Sequence, residues 1–301
     1  MYLFKTLVAL MAGAVIIVAC SNDRACAENP IKYTALGDSV TQSSGFPGTY
    51  RSYVQADLIT YTPLTNLGVG GSNSQTLLDQ LTNNQTYRAS VTDATIVTVE
   101  IGINDFYGAK WASYLGQCAP LEQCYINTVQ TFNLNYNSII DTILALNPDV
   151  ILRLVDIWYP ELEGDMSAGI FQIANPYLTQ MNVIVHSRGV TASIHDLFNG
   201  VSGDESALAK GYLQSDSIHP TTLGATAIAN ALRVFGYTPL KRACMDVNLD
   251  GSINSIDLML VNQHYGQPVG PQTYMYDVNS DGKINSIDLG LVSRDFGKTC
   301  A

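Results

Sequence analysis

The segment ATIVTVEIGIND, residues 94–105, contains the pattern that decides the fold. Its first eight residues are almost all apolar or β-branched, which is typical of a strand buried on both faces of a sheet. Such strands belong to parallel sheets, because helices cover both faces of those sheets. The end of the segment, Gly102-Ile103-Asn104-Asp105, then falls at the carboxyl edge of the sheet, where open α/β folds bind ligands.

Apolar strands alternate with helical spacing along most of the chain. Four more strands are predicted at 31–36, 62–67, 150–157 and 190–194. Helices are predicted at 49–59, 74–81, 121–146, 171–187 and 221–235, the fourth of them interrupted near Pro176. Five βα units predict an α/β fold with a parallel sheet between two helical layers, and about 200 residues suffice for one buried core.

Gly37-Asp38-Ser39 follows the first predicted strand, so Ser39 lies in a strand-to-helix turn. A serine in such a turn can act as a nucleophile if a base lies nearby. The segment is not the nucleophile elbow of α/β-hydrolases, because Thr41 stands where that motif needs a glycine. Taken alone, Gly-Asp-Ser is also compatible with an ordinary turn.

Two further loops supply hydrogen-bond donors at the same edge of the sheet. Asn66 to Gly71 follows the second predicted strand, and its glycines let a backbone N–H group approach a ligand closely. A plain tight turn is the alternative, since the spacing of dinucleotide-binding and phosphate-binding loops is missing. In the third loop the Asn104 amide can donate to an oxyanion, and Asp105 is predicted to cap the following helix.

The segment Asp216-Ser217-Ile218-His219 contains a candidate base and its partner. A carboxylate three residues before a histidine can accept from one ring nitrogen while the other nitrogen faces a nucleophile. The other histidines have no carboxylate at this spacing. We expect His186 at the surface, His195 as a partly buried structural residue and His264 in the C-terminal unit. Asp196 lies next to His195 and makes that histidine the alternative base.

These four segments together resemble the sequence blocks of the SGNH family, also called GDSL hydrolases, over residues 31–237. The resemblance implies a three-layer α/β/α, flavodoxin-like fold and a serine ester hydrolase that works through an acyl-enzyme. It implies a catalytic nucleophile, base and orienting carboxylate, which are Ser39, His219 and Asp216. It also implies an oxyanion hole formed by two backbone N–H groups and one amide, those of Ser39, Gly71 and Asn104.

A second unit follows Gly236 and contains an internal duplication. DVNLDGSINSID at 246–257 recurs as DVNSDGKINSID at 277–288, and the 21-residue copies that start there agree at 14 positions. Oxygen-bearing side chains occupy positions 1, 3, 5, 9 and 12, and glycine occupies position 6, as in a calcium loop. Position 7 needs only its backbone carbonyl. The predicted ligands of two Ca²⁺ ions are Asp246, Asn248, Asp250, Ser252, Asn254 and Asp257, then Asp277, Asn279, Asp281, Lys283, Asn285 and Asp288.

Aspartate at position 12, where the general EF-hand has glutamate, resembles the pattern of dockerin type I modules. Helices predicted after each loop, at 258–265 and 289–296, complete a small all-α unit of paired EF-hand-like motifs. The resemblance implies a cohesin-bearing scaffold protein as partner, with Ser255-Ile256 and Ser286-Ile287 at the recognition positions. A long linker rich in proline and threonine is missing, and a purely structural calcium module is the alternative.

The N-terminus predicts export from the cell. A positive charge followed by the apolar run 7–19 is typical of a signal peptide and is too short for a membrane span. Cleavage after Ala27 gives a secreted protein, whereas cleavage before Cys20 gives a lipid-anchored one. The first option leaves four cysteines, which pair as Cys118 with Cys124 and Cys244 with Cys300. The expected boundaries are 1–27 for the signal peptide, 28–237 for the hydrolase and 238–301 for the calcium module.

The formal net charge of −11 and the lack of a basic cluster argue against nucleic acid or an anionic membrane as the main partner. Phe106, Tyr107 and Trp111 can line an acyl or sugar pocket, or pack in the core. We expect a secreted carboxylic ester hydrolase whose catalysis needs no cofactor. Its expected substrates are acetylated plant polysaccharides or short acyl esters. A lysophospholipase-like enzyme and a catalytically weak scaffold-binding protein are the alternatives.

Overall fold

The computed structural model describes residues 30–238, 245–248, 250–269, 273–279 and 282–300. The strands of its N-terminal part are β1 (Tyr33–Gly37), β2 (Leu64–Gly68), β3 (Ile96–Glu100), β4 (Ile151–Val155) and β5 (Thr191–Ala192). They form one parallel sheet in the order β2-β1-β3-β4-β5. The predicted parallel α/β sheet is confirmed, although β5 has two residues where a longer strand was predicted.

Helices connect the strands, as parallel βα units require. They are α1 (Ser39–Ser43), α2 (Phe46–Leu58), α3 (Ser74–Asn83), α4 (Gln85–Thr92), α5 (Ile103–Tyr114), α6 (Leu121–Leu146), α7 (Leu162–Ser167), α8 (Phe171–His186), α9 (Ile194–Asn199) and α10 (Thr222–Arg233). Helix α2 packs against α10, whereas α3, α4, α5 and α8 pack against α6. These two groups cover the two faces of the sheet, and every residue of β1 and β3 is therefore buried.

Helix α8 differs from its prediction because it continues through Pro176. The proline ring removes one backbone hydrogen bond near the start of the helix. The helix nevertheless buries one face in the core, through Ala174, Leu178, Met181 and Val185. Burial of this face compensates for the lost hydrogen bond, so the helix is not interrupted.

The C-terminal part consists of two similar loop-helix units. Helix α11 (Ser255–Gln263) packs against α12 (Ser286–Arg294), and a short 3-10 helix spans Tyr274–Tyr276. A separate small core holds these elements together, formed by Met245, Val247, Ile253, Val261, Val278, Ile284 and Val292. Both helices begin three residues earlier than predicted, because Asn254 and Asn285 cap them with side-chain hydrogen bonds.

Cys118, in the loop after α5, and Cys124, in the first turn of α6, form the predicted disulfide, with their Cα atoms 5.6 Å apart. Cys300 is disulfide-bonded, but its predicted partner Cys244 lies outside the described residues. The predicted signal peptide and both of its possible cleavage sites also lie outside them. No helix in the described ranges is long and apolar enough to cross a membrane.

Candidate active site

Three of the candidate segments meet at the carboxyl edge of the sheet. Ser39 is the first residue of α1, directly after β1, and Asn104 lies in the first turn of α5, directly after β3. Gly71 lies in the loop after β2. Because β2, β1 and β3 are neighbours, these loops are adjacent to one another. This is the region where open α/β sheets bind their ligands.

Ser39, His219 and Asp216 form a chain of hydrogen bonds. The Nε2 atom of His219 lies 2.9 Å from Ser39 Oγ, and its Nδ1 atom lies 2.7 Å from Asp216 Oδ2. The histidine and the serine are 180 residues apart in sequence. Nε2 can accept the serine proton only if Nδ1 carries the ring hydrogen, and the Asp216 carboxylate favours that tautomer.

Backbone contacts hold the loop that carries Asp216 and His219. Ser217 has a left-handed conformation with φ of 56°, which costs free energy in a residue other than glycine. The N–H groups of Ile218 and His219 both donate to Asp216 Oδ1 at 3.0 Å. The indole Nε1 of the buried Trp158 donates to Ile218 O at 3.1 Å. These contacts compensate for the strain at Ser217 and fix the orientation of the carboxylate.

The same hydrogen bonds control the protonation of Asp216. Partial burial alone would raise the pKa of Asp216, but the hydrogen bonds from His219 and Ile218 outweigh it and lower the pKa below its usual value. Asp216 therefore remains a carboxylate in mildly acidic solution. Both side chains of the pair are partly exposed, so a substrate can reach this edge of the sheet from solvent.

Gly70 and Gly71 differ in what their N–H groups bind. The Gly70 N–H donates to Gln42 Oε1 at 3.0 Å, whereas the Gly71 N–H has no hydrogen-bond partner within the described ranges. Gly71 has φ of 76°, which glycine adopts without strain. Ser39 begins a helix, and the first N–H group of a helix has no intrahelical acceptor. The N–H groups of Gly71 and Ser39 are thus available to an oxyanion.

The Asn104 amide connects the loops around Ser39. Its Nδ2 atom donates to Ser72 O at 2.8 Å and to Asp38 Oδ2 at 3.1 Å. Asp38 also accepts from the Val40 N–H at 2.9 Å and caps α1. Both amide hydrogens are therefore bound within the protein, and donation to an oxyanion requires that one of them leaves its present acceptor. The oxyanion role of Asn104 stays a prediction.

Asp105 does not cap the helix in which it lies, contrary to the prediction. Gly102 is the N-cap of α5, and the Asp105 carboxylate accepts instead from the N–H and Oγ of Ser74, at 2.8 and 2.5 Å. Asp105, in the first turn of α5, thereby binds the first N–H group of α3. Burial raises the pKa of Asp105 to about 6, although the hydrogen bonds from Ser74 act in the opposite direction.

Two buried acidic residues next to the site, Asp38 and Glu100, were not singled out from the sequence. Burial raises the pKa of Asp38 to about 6 and that of Glu100 well above its usual value. The two carboxyls hydrogen bond to each other, and Thr41 Oγ1 donates to Glu100 Oε2 at 3.1 Å. A proton on Glu100 leaves Asp38 free to accept from Asn104. The signal in the sequence was an acidic residue inside the apolar segment 94–105.

A cleft of about 420 Å³ adjoins Asn104. One wall is helix α5, and the Cys118–Cys124 disulfide forms part of another. The remaining side chains are mostly neutral amides and hydroxyls, namely Asn73, Gln117, Asn127, Thr128 and Thr131. These side chains offer directed hydrogen bonds, and the glycine, the alanines and the disulfide of the other walls add apolar surface. The cleft can therefore hold a group that has both hydroxyls and an apolar C–H surface.

Two other histidines of this part have aspartate partners of their own. His186 Nε2 lies 3.0 Å from Asp156 Oδ2, and this hydrogen bond raises the pKa of His186. His195 Nδ1 lies 3.1 Å from Asp196 Oδ1, and its buried Nε2 has no partner among the described residues. His264 stacks on Tyr276 in the C-terminal part. Within the described ranges, only the His219 ring bonds to a serine hydroxyl.

The first calcium loop contains buried carboxylates without a cationic partner. Asp246 and Asp257 are 1% and 0% exposed and form no ion pair within the part of the chain that is described. They accept from backbone N–H groups, Gly251 to Asp246 at 2.7 Å and Val247 to Asp257 at 2.8 Å. A buried carboxylate needs an opposite charge or a metal ion, and oxygen donors suit Ca²⁺. The residues present therefore fit a calcium ion.

The second loop has the same backbone hydrogen bonds to its first and last aspartates. Asp277 and Asp288 are buried, and the N–H groups of Gly282 and Val278 donate to them at 2.8 and 2.9 Å. Asp281 lies outside the described residues. Within those residues, no group of three or more His, Cys, Asp or Glu side chains is arranged to hold a metal. The number of bound ions stays a prediction.

The sheet order and the contacts at its carboxyl edge define the class of protein, a three-layer α/β/α fold with a serine, a histidine and an aspartate in one chain of hydrogen bonds. Residues 35–227 match the GDSL-like Lipase/Acylhydrolase family, and the chain belongs to that family. Residues 244–297 match the Dockerin type I domain. Domains of this type bind calcium, pair with cohesins and occur on extracellular proteins. The chain is thus an ester-bond hydrolase with a dockerin domain.

Solved structures are similar to this chain at low sequence identity. The lipase Lip_vut3 from a goat rumen metagenome is 21% identical with a TM-score of 0.59, and the match covers 70% of this chain and 100% of that one. A variant of Axe2, an acetyl xylan esterase from Geobacillus stearothermophilus, is 19% identical with a TM-score of 0.48, covering 70% and 96%. A lipase/acylhydrolase from Enterococcus faecalis is 15% identical with a TM-score of 0.44, covering 66% and 92%. The comparison with curated proteins found no match.

Proposed function

We propose that the protein is a secreted serine esterase in which Ser39, His219 and Asp216 perform the hydrolysis. One observation carries the proposal. The His219 ring lies between Ser39 Oγ, at 2.9 Å, and Asp216 Oδ2, at 2.7 Å. Proton transfer from a serine to a histidine requires this geometry.

The reaction proceeds in two halves. Ser39 Oγ attacks the ester carbonyl carbon while its proton moves to His219 Nε2, and the alcohol then leaves with that proton. Water next gives a proton to Nε2 and attacks the acyl-enzyme, and Ser39 regains the proton as the acid is released. Asp216 stabilises the positive ring in both halves without taking the proton itself.

The N–H groups of Ser39 and Gly71 and the amide of Asn104 stabilise the negative oxygen that forms in each half. Asn104→Ala is expected to lower kcat by about 10² to 10³-fold, the usual loss for one oxyanion donor, with a smaller change in KM. Steady-state kinetics with para-nitrophenyl acetate measure both constants. A change in KM alone contradicts the role and makes Asn104 a residue that binds the ground state.

We propose esterified plant polysaccharide, acetylated xylan in particular, as the substrate class. The amides and hydroxyls in the cleft beside Asn104 support this, because they can hydrogen bond to sugar hydroxyls. The Dockerin type I domain supports work on a scaffold outside the cell. Residues 1–27 serve as the signal peptide for that export.

Three substrates test this proposal, namely acetylated xylan, para-nitrophenyl acetate and lysophosphatidylcholine. We expect acetate release from xylan and hydrolysis of the aryl ester, with only trace hydrolysis of the lysophospholipid. The wild-type chain is compared with its Ser39→Ala variant, so that contaminating esterases are detected. Faster hydrolysis of the lysophospholipid than of acetylated xylan contradicts the polysaccharide assignment.

The C-terminal domain, in the same proposal, binds two Ca²⁺ ions and attaches the enzyme to a cohesin-bearing scaffold. The ions neutralise the buried carboxylates of the two loops, which include Asp246 and Asp257 in the first. Ile256 and Ile287 are exposed at the starts of α11 and α12. They offer apolar contact at equivalent positions of the two copies.

Calorimetric titration of the full chain is expected to give two Ca²⁺ ions per molecule. Asp250→Ala and Asp281→Ala each remove the position 5 ligand of one loop, so each variant is expected to bind one ion and the double variant none. Binding at a hundredfold excess over Kd stabilises the domain by about 2.7 kcal/mol per site. Hydrolysis of para-nitrophenyl acetate should not change. Loss of that activity in the double variant contradicts the independence of the two domains.

A further inference from the structure

Helix α5 carries three aromatic side chains in a line, Tyr107, Trp111 and Tyr114, here called the aromatic row. Spacings of four and three residues place them on one face of the helix. Neighbouring ring centroids are 6.0 and 5.8 Å apart, with the rings edge to face. Trp111 and Tyr114 are 46% and 60% exposed. Adjacent large rings that face water are a feature of binding surfaces.

The aromatic row starts at the proposed ester site. Asn104 lies about one turn before Tyr107 and two turns before Trp111, on the same side of α5. Tyr107 Oη donates to Glu161 Oε1 at 3.1 Å. The Glu161 N–H donates in turn to Ser217 O at 3.1 Å, in the loop that carries the proposed base. One end of the row is therefore connected to the ester site, and the other end extends away from it along the surface.

The charged side chains next to the aromatic row form ion pairs with one another. Lys110 Nζ lies 5.2 Å from the centroid of the Tyr107 ring, and it is bound by Glu161 and Asp165 at 2.6 and 2.9 Å. Its side chain is buried, so it does not attract an anion from solvent. The row itself is neutral, in a chain of formal charge −11. This surface favours a neutral ligand over an anionic one.

We propose that the aromatic row binds the neutral glycan chain of the esterified substrate, with successive sugar rings stacked on its rings. The C–H face of a sugar is apolar and can cover an aromatic face. Sugar hydroxyls can reach the amides of the adjoining cleft, whose wall includes Gly108 and Ala112 of the same helix. This inference rests on the proposed function, because it assigns the row to the polymer that carries the ester.

Tryptophan fluorescence gives a direct binding test, since the chain has two tryptophans. Trp158 is 0% exposed, so a surface ligand acts mainly on Trp111. Xylohexaose, which carries no ester, is expected to change the emission of the full chain saturably. Calorimetry is expected to show at least about tenfold weaker binding for Trp111→Ala and for Tyr114→Ala. Tyr61→Ala, at an exposed tyrosine outside the row, is the matched control and should bind as the wild type does.

Hydrolysis rates on two substrates distinguish a role of the aromatic row in glycan binding from a role in supporting the ester site. The Trp111→Ala, Tyr114→Ala double variant is expected to lose at least about tenfold in kcat/KM on acetylated xylan, mainly through KM, because stacking is equal in ground and transition states. Its rate on para-nitrophenyl acetate should remain that of the wild type. Equal losses on both substrates, or no loss on either, overturn the inference.

An error in the proposed substrate class can be distinguished from an error in the proposed glycan-binding role of the aromatic row. If the wild type hydrolyses para-nitrophenyl acetate but not acetylated xylan, the proposed substrate is wrong. Titration with mannohexaose and cellohexaose then tests the row separately. Saturable binding of either one that Trp111→Ala weakens supports the row, and no binding of any of the three glycans overturns it. Binding of phosphatidylcholine vesicles without any glycan assigns the row to a lipid surface and also overturns the inference.

Discussion

A Ser39→Ala variant is expected to lose at least about 10⁴-fold in the rate of ester hydrolysis and to remain folded. The substitution removes the nucleophile, whereas the Gly71 N–H and the Asn104 amide stay in place and account for the residual rate. Ser39 is only partly buried at the start of α1, so the methyl group leaves no cavity in the core. Rates with para-nitrophenyl acetate and a thermal unfolding curve measure the two parts of the prediction.

Ser43→Ala is the matched control for this variant. Ser43 belongs to the same short helix, and its Oγ donates to the Ser39 carbonyl oxygen at 2.8 Å. Because this contact is with the backbone of Ser39 and not with the nucleophilic Oγ, the Ser43→Ala variant should keep a rate near that of the wild type. A serine-directed fluorophosphonate is expected to label Ser39, as read by mass spectrometry of the peptide. Near-normal turnover by folded Ser39→Ala, or labelling of a different serine, would falsify the nucleophile assignment.

A His219→Ala variant is expected to show a comparable loss, at least about 10⁴-fold, because the His219 ring is the only imidazole bonded to Ser39 Oγ within the described ranges. Wild-type activity is expected to fall in acid, since only the neutral imidazole accepts a proton. The lowered pKa of Asp216 keeps that carboxylate ionised there, so protonation of Asp216 is not the source of the acid loss. Initial rates across the pH range should show that His219→Ala removes this acid limb together with the rate.

His186→Ala is a control with a closely matched environment. Its ring bonds to Asp156 through Nε2, whereas the His219 ring bonds to Asp216 through Nδ1. Within the described ranges, His186 has no serine hydroxyl as a second partner. We expect it to keep the wild-type rate and acid limb. His195→Ala tests the alternative base that the sequence left open. If His195→Ala removes the acid limb and His219→Ala does not, the base role belongs to His195.

The candidate site could be predicted from sequence because its parts lie at the ends of strongly patterned elements. Ser39 and Asn104 each come directly after a buried apolar strand and before a helix, and in a parallel sheet such positions share one edge. The calcium loops are more local still. Each predicted ligand set lies within twelve consecutive residues, although both following helices begin three residues earlier than predicted, where Asn254 and Asn285 cap them.

Predictions from local sequence rules were wrong where a side chain contacts a residue that is far away in the sequence. Asp105 has the position of a capping residue in its own helix, but its carboxylate binds Ser74, 31 residues away, across the loop after β2. Phe106 and Trp111 lie in one helix and looked alike as pocket residues. Phe106 is buried in the core while Trp111 is exposed, because only one face of α5 packs against the rest of the fold.

The sequence by itself determined the parallel α/β sheet, the two domains, the calcium loops and the identity of the candidate catalytic residues. These depend on the period of the apolar pattern and on motifs of a few residues, both of which are local. Only the tertiary structure decided that His219 reaches Ser39 across 180 residues, that the Asn104 amide binds Asp38 and Ser72, and that the aromatic row stays in solvent. The physical reason is that strand order and helix packing set such contacts, whereas a local pattern specifies an element and its buried face but not the neighbour that it meets.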